Sequence, residues 1–299
     1  MNWIFFAILS PAIYTLVTFI DKHLVSNVVK DYKAMPIYTS IVGFIAGLLF
    51  WILTGFPILS FRDGGIIVLT GMITIWSTFL YFKALEGEQT SNINILFQTF
   101  PVMALILAYL FLGETITVKQ FIGFIFILSA AVGVSFQPRK KGEKTLSKAF
   151  FLILFFNFMT AISSVLIKFA IDTTSFSQVL SYESLGIALG GLLVFILFPG
   201  IRKAFIANIK IVKRKTVKII FINEGLFVLA KSLGFYALVL GPVALVTVLS
   251  GTQAFFGIIF GFTLTKLFPK LFKEDISSGG IIKKMGFAVL IVVGIALLV

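Results

Sequence analysis

Residues 37–55 read IYTSIVGFIAGLLFWILTG. No charged side chain interrupts that run, and its apolar positions are continuous rather than alternating. A helix rises ~1.5 Å per residue, so one of this length reaches across a bilayer core of ~30 Å. The missing two-residue alternation argues against a strand of a membrane barrel. In lipid every backbone polar group must be paired within the spanning structure, which leaves the helix. Gly43 and Gly47 lie one turn apart in it, a spacing that lets helices approach closely. Gly186 and Gly190 repeat the spacing in a second apolar run, which opens on Tyr182 as this one opens on Tyr38.

Outward from these two runs, ten apolar spans can be marked: about 3–20, 37–55, 66–83, 92–112, 120–136, 149–171, 178–198, 219–240, 242–265 and 285–299. They fall into two sets of five with landmarks in the same order. Lys22 matches Lys168, Tyr38 matches Tyr182, and Ala84-Leu85 matches Ala237-Leu238. Gly123 and Ala131 in the fifth span match Gly286 and Gly294 in the tenth. Residues 1–136 are therefore expected to form a first repeat, 137–148 a basic linker, and 149–299 a second repeat. Five is odd, so the second copy enters the membrane from the opposite side. The expected fold is all-α and polytopic, with ten transmembrane helices as two inverted five-helix repeats, a transporter architecture.

Charge placement agrees with inversion. Of the 25 Lys and Arg, only Arg62 and Lys119 fall in even-numbered loops, and only Lys168 and Lys231 inside spans. The rest crowd the odd loops. Loops two and four are thus nearly free of cations, while their repeat counterparts, seven and nine, are rich in them. The positive-inside rule makes the odd loops cytoplasmic and places both termini outside a cell membrane. The stretch Ile201–Lys218 sets Ile201, Phe205, Ile206 and Ile209 at helical spacing beside Lys203, Lys210 and Lys213. It reads as an amphipathic segment on an anionic inner leaflet.

Composition supports the class. The 299 residues are 59% hydrophobic and 12% charged, with a net charge of +13. That excess of cations is explained by cytoplasmic loops, not by nucleic acid. Trp3–Ile20 lacks a basic start and a cleavage site, so it reads as a span rather than a signal peptide. Cysteine is absent and His23 is the single histidine, which excludes disulfides and thiolate or multi-histidine metal sites. Neither metal nor cofactor is expected. His23, beside Asp21 and Lys22, reads as a solvated loop residue.

Ionisable side chains inside spans cost ~2.5–3.5 kcal/mol each and mark function by default. Four stand out: Lys168, Glu183, Glu224 and Lys231. Glu224 and Lys231 lie two turns apart on one face, too far for an intimate pair. They suggest a proton or cation relay and an anion hook respectively. Glu183 and Lys168, in adjacent spans, could pair across helices. Asn94 and Gln98 form a polar stripe on the fourth span, opposite Thr247, Gly251 and Ala254 of the ninth. They suit ligand contact or interhelical hydrogen bonding. Pro101, one turn on, removes a backbone donor and bends that helix. Trp76, mid-span, either stacks on substrate or fills the core. Gln253, Tyr14 and Asn157 follow as secondary candidates.

The stretch Tyr81–Val134 carries Tyr-Phe-Lys-Ala-Leu at 81–85, then Pro101, Leu112-Gly113-Glu114, Gln120 and Gly123. The second half echoes it with Phe-Tyr-Ala-Leu at 235–238 and Gly241-Pro242-Val243-Ala244. Glu274 stands for the second Leu-Gly-Glu glutamate, with Lys266–Phe272 inserted before it. This pattern resembles the EamA branch of the drug/metabolite transporter superfamily. The resemblance implies a cavity lined by helices one, three, four, six, eight and nine. It also implies ATP-independent export or exchange of a small-molecule substrate, while the relay reading of Glu224 adds a proton or cation as coupling partner. It further implies cytoplasmic termini, where the charge count here places them outside. Glu114, at a helix end, invites a role in conformational locking.

Together these features describe a secondary transporter of small polar metabolites such as amino acids, working by alternating access. A flippase of a lipid-linked head group is the alternative. An intramembrane lipid-modifying enzyme would need clustered His, Asp or Cys, which the chain lacks. An ATP-driven pump would need a P-loop, also absent.

Overall fold

The computed structural model describes residues 2–112, 115–138, 144–170, 174–241 and 243–299. The first half holds α1 (Asn2–Asn27), α2 (Met35–Leu53), α3 (Phe61–Gly87), α4 (Thr90–Phe97), α5 (Phe100–Leu112) and α6 (Val118–Ser135). A short antiparallel ribbon, β1 (Phe136–Pro138) with β2 (Lys144–Leu146), joins the halves and pairs Phe136 with Leu146. The second half holds α7 (Lys148–Lys168), α8 (Phe176–Leu197), α9 (Pro199–Ile209), α10 (Arg214–Leu240), α11 (Val243–Ser250), α12 (Gln253–Leu267) and α13 (Ser278–Leu298). Ten segments are long and apolar enough to cross a membrane, with α4–α5 and α11–α12 each forming one. Loop residues start the helices where a side chain can accept an orphan amide. Ser60 accepts from Asp63 N, while Thr117 with Gln120 and Ser175 with Gln178 form reciprocal capping boxes.

Much of the packing scheme is kept when each span is exchanged for its counterpart five along, although span three packs far more closely on span seven than span eight does on span two. Span one packs on span eight (α1 on α10), and span six on span three (α7 on α3). Spans two and seven, four and nine, and five and ten meet their own counterparts. Those three pairs run antiparallel. Along α2 and α8, Ser40 lies against Gly191, Gly43 against Ile187, and Gly47 accepts from Ser181. Along α6 and α13, Gln120 reaches the Leu298 carbonyl, Gly123 lies on Gly294, and Gly133 lies on Phe287. Asn94 of α4 meets Gly257 and Gln253 of α12. Two inverted five-helix repeats are therefore built into the bundle.

Glycine sets the closest approach. A Cβ on Gly71 would stand 2.1 Å from the Glu183 carbonyl oxygen, and one on Gly186 would stand 2.2 Å from that of Val68. The backbones of α3 and α8 thus touch, which a larger residue would forbid.

Two boundaries differ from the apolar pattern. Helix α1 continues to Asn27, because Asp21 and Lys22 find polar partners inside the protein. The tenth span starts at Ser278, because Lys284 is buried in a polar network rather than in solvent. The fourth and ninth spans are broken rather than bent. The breaks, at 98–99 and 251–252, fall at equivalent positions of the two repeats. Glu114, Pro242 and residues 139–143 lie outside the described residues, so the expected locking glutamate finds no test there.

Candidate functional site

The break in the fourth span follows from Pro101. A continuous helix would bond the residue 101 amide to the Phe97 carbonyl, and proline has no such donor. Asn157 of α7 fills the gap. Its amide donates to the Leu96 carbonyl at 3.0 Å, the Phe97 carbonyl at 3.3 Å and Thr99 Oγ1 at 2.7 Å. Gln253, the first residue of α12, sits beside the equivalent break and donates to Asn94 Oδ1 at 3.0 Å. Irregular backbone at membrane depth is tolerated where protein groups or a cavity satisfy it.

Between the breaks lies a cavity of about 180 Å³. Seven helices contribute walls: α1, α2, α3, α4, α7, α10 and α12. These are the six spans implied by the resemblance, with the second added through Thr39. Two carboxylates face it. Asp21, 4% exposed, accepts from Tyr81 Oη and Asn223 Nδ2, each at 2.8 Å. Glu224, 6% exposed, accepts from Thr39 Oγ1 at 2.8 Å. Among the described residues no lysine or arginine forms an ion pair with either. Aromatic rings of Tyr14, Tyr81, Phe97, Phe156 and Phe227 complete much of the wall.

A vestibule of about 620 Å³ opens on the face of the even loops, where α1 begins and α13 ends. Lys168 and Lys231 line it, and Tyr14 lines both vestibule and cavity. Lys231 forms an ion pair with Glu183. Glu183 is therefore engaged by Lys231, not by Lys168 as the adjacent spans suggested, because α8 and α10 bring the pair together across the bundle. That contact also supplies the partner Lys231 needed, and it offsets the charge of the expected anion hook.

The face of the odd loops is latched. The Glu274 carboxylate accepts from Thr90 N at 2.6 Å and from Ser91 Oγ, at the start of α4. An acid at a helix N-terminus is stabilised by the helix dipole. Lys284 Nζ joins Gln89 Oε1 and Ser91 Oγ, each at 2.7 Å, and Glu274 Oε2 at 3.3 Å. Lys22 donates to the Leu85 carbonyl. In the adjoining turn, hydrogen bonds from the Ser277 hydroxyl and amide hold the Asp275 carboxyl below the ordinary carboxylate range.

The remaining candidates act at a distance from the cavity. Asn94 is fully buried and Gln98 nearly so, and both bond around Gln253, with Gln98 Nε2 at 3.5 Å from Gln253 Oε1. They position the residue that lines the cavity. Trp76 donates to the Gly190 carbonyl at 3.3 Å and ties α3 to α8. His23 is not a loop residue. It lies within α1 and contacts Asn27, while Asp21 beside it points into the core. Asp21 escaped notice because the apolar run ends at Ile20. The signal was present in Tyr14, Thr18 and Asp21, spaced to share one helical face.

The model of the EamA-like transporter family matches residues 1–136. This family lies within the drug/metabolite transporter superfamily and consists of transporters rather than enzymes. With ten helices among the described residues long and apolar enough to cross a membrane, the chain is a multi-pass membrane protein. A solved structure described only as "Crystal structure of protein" is similar at TM-score 0.49 and 16% identity, over 99% of this chain and 94% of that one. No curated protein matches the chain.

Proposed function

We propose that the protein is a secondary transporter of small amine-bearing metabolites, amino acids among them, with the central cavity as substrate site. The observation that carries this reading is the pair Asp21 and Glu224, two buried carboxylates without a basic partner among the described residues, in a cavity walled by both repeats. Buried charge must be paired or neutralised. A substrate ammonium group, a proton or a metal cation each meets that need, and competition between substrate and coupling ion at one site links their movements. Asn223 Oδ1, buried beside Glu224, lacks a donor among the described residues. Aromatic faces attract the same cation.

Alternating access then consists of opening the latched odd-loop face while the vestibule closes, with the broken helices on either side of the site. Odd loops face the cytoplasm of a cell membrane in this reading, so the structure is open to the outside. Counterflow into proteoliposomes, over a panel of amines and matched amides at two pH values, tests the function. Amine transport should fall at least tenfold in Asp21→Asn and Glu224→Gln. Undiminished amine transport in both variants would sink the reading. Cysteine substitution of Ser60 should label from outside intact cells, and of Lys215 should not.

A further inference from the structure

Between Glu183 and Glu224 the chain carries seven cations and no acid. Arg202, Lys203, Lys210, Lys213, Arg214, Lys215 and Lys218 are all exposed, and none forms an ion pair among the described residues. Helix α9 is nevertheless fixed to the bundle. Tyr38 Oη donates to the buried Asn208 Oδ1 at 3.1 Å, and Phe205 packs edge-on against Tyr38 and Phe195. Two further apolar residues, Ile206 and Ile209, stay exposed.

Beside this anchor an apolar groove of about 530 Å³ runs between α2 and α8 and ends at Phe205. Ile41, Phe44, Leu189 and Leu192 line it and are exposed. Its polar side chain, Ser40, spends its hydroxyl on the Ile37 carbonyl at 2.8 Å. From Phe195 to Leu185 the groove follows α8 for about 15 Å, the depth of one leaflet.

We propose that this groove is a binding site for an anionic phospholipid, with an acyl chain between α2 and α8 and the headgroup on Arg202 and Lys203. Three features match that occupant. The groove is one acyl chain deep, it is apolar but for Ser40, and its mouth meets a patch of a single sign. Arg202 lies one turn before Phe205, so headgroup and chain contacts are adjacent on α9. A second copy docked face to face would set each copy's cations against the other's. The site also lies on the seam between the repeats, where spans two and seven meet, so its occupant bears on their relative motion. This site is separate from the central cavity and does not depend on what the cavity carries.

The test uses the purified, delipidated full chain in neutral detergent. Phosphatidylglycerol and phosphatidylcholine with identical acyl chains are added, and thermal unfolding and native mass spectrometry are read. Phosphatidylglycerol should raise Tm by about 3 °C or more, with discrete bound lipid, and phosphatidylcholine by less than half as much. Arg202→Gln with Lys203→Gln should erase the preference while leaving the lipid-free Tm unchanged. Leu189→Trp, which fills the groove, should reduce retention of both lipids. Equal responses to the two lipids would overturn the proposal, as would a preference that survives the double substitution. Stabilisation by inorganic phosphate alone, matching that by phosphatidylglycerol, would show a free-anion site and overturn it as well.

Discussion

Replacing Asn157 with leucine tests whether one side chain holds the broken helix together. The side chain is 1% exposed and its amide serves two carbonyls and a hydroxyl on the fourth span. Leucine has the same branched shape and is larger, so it leaves no cavity and the loss of hydrogen bonding is what the substitution reads. A buried polar group deprived of its partner costs ~1–3 kcal/mol, and with two carbonyls deprived Asn157→Leu should cost ~3 kcal/mol. Pro101→Ala supplies the missing diagnostic. It restores an amide aimed at the Phe97 carbonyl, one of the two carbonyls that Asn157 serves. In that background Asn157→Leu should cost ~1 kcal/mol less, which appears as coupling in a double-mutant cycle. Equilibrium unfolding of the four proteins in mixed micelles measures the cycle. Additivity within ~0.3–0.5 kcal/mol would refute the account, because independent sites behave that way.

Three further outcomes follow from contacts described above. Gly186→Ala should lose at least ~1–3 kcal/mol of stability, because its added methyl would meet the Val68 carbonyl at 2.2 Å. Gly65→Ala, with nothing within 4 Å, is the control and should leave the melting temperature unchanged or raised. Lys231→Met should destabilise by ~2–4 kcal/mol, since it strands the Glu183 carboxylate at 9% exposure, and adding Glu183→Gln should recover most of that loss in chemical denaturation. Glu274→Gln should unlatch the odd-loop face. A cysteine at Thr78 should then react several-fold faster with a reagent applied from that side, and an unchanged rate would remove Glu274 from the latch.

The spans were legible because lipid imposes one strict rule, that apolar side chains continue for the width of the bilayer. The inversion was legible for a related reason: loop charge answers to the side of the membrane, so Arg62 and Lys119 stood alone in the even loops. The site was legible only in part. Glu224 showed itself as an acid deep inside an apolar span. Asp21 did not, since it follows the last apolar residue of its run and resembles an ordinary loop acid. Its burial depends on Tyr81 and Asn223, residues brought to it from 60 and 202 positions away. The pairing of Glu183 with Lys231 was hidden for the same reason, because spacing along one helix says nothing about the helix opposite. The break at 98–99 was announced by a proline, whereas its counterpart at 251–252 carries only a glycine, a weaker punctuation.

The antiparallel meeting of spans two with seven, four with nine and five with ten has a consequence for biosynthesis. A half inserted the wrong way round would present these partners in parallel. The contacts of Gly123 with Gly294, Gly43 with Ile187 and Asn94 with Gln253 would then all be lost together. By the positive-inside rule the basic residues of loops seven and nine bias the orientation of the second half, and so bear on whether these pairs can form.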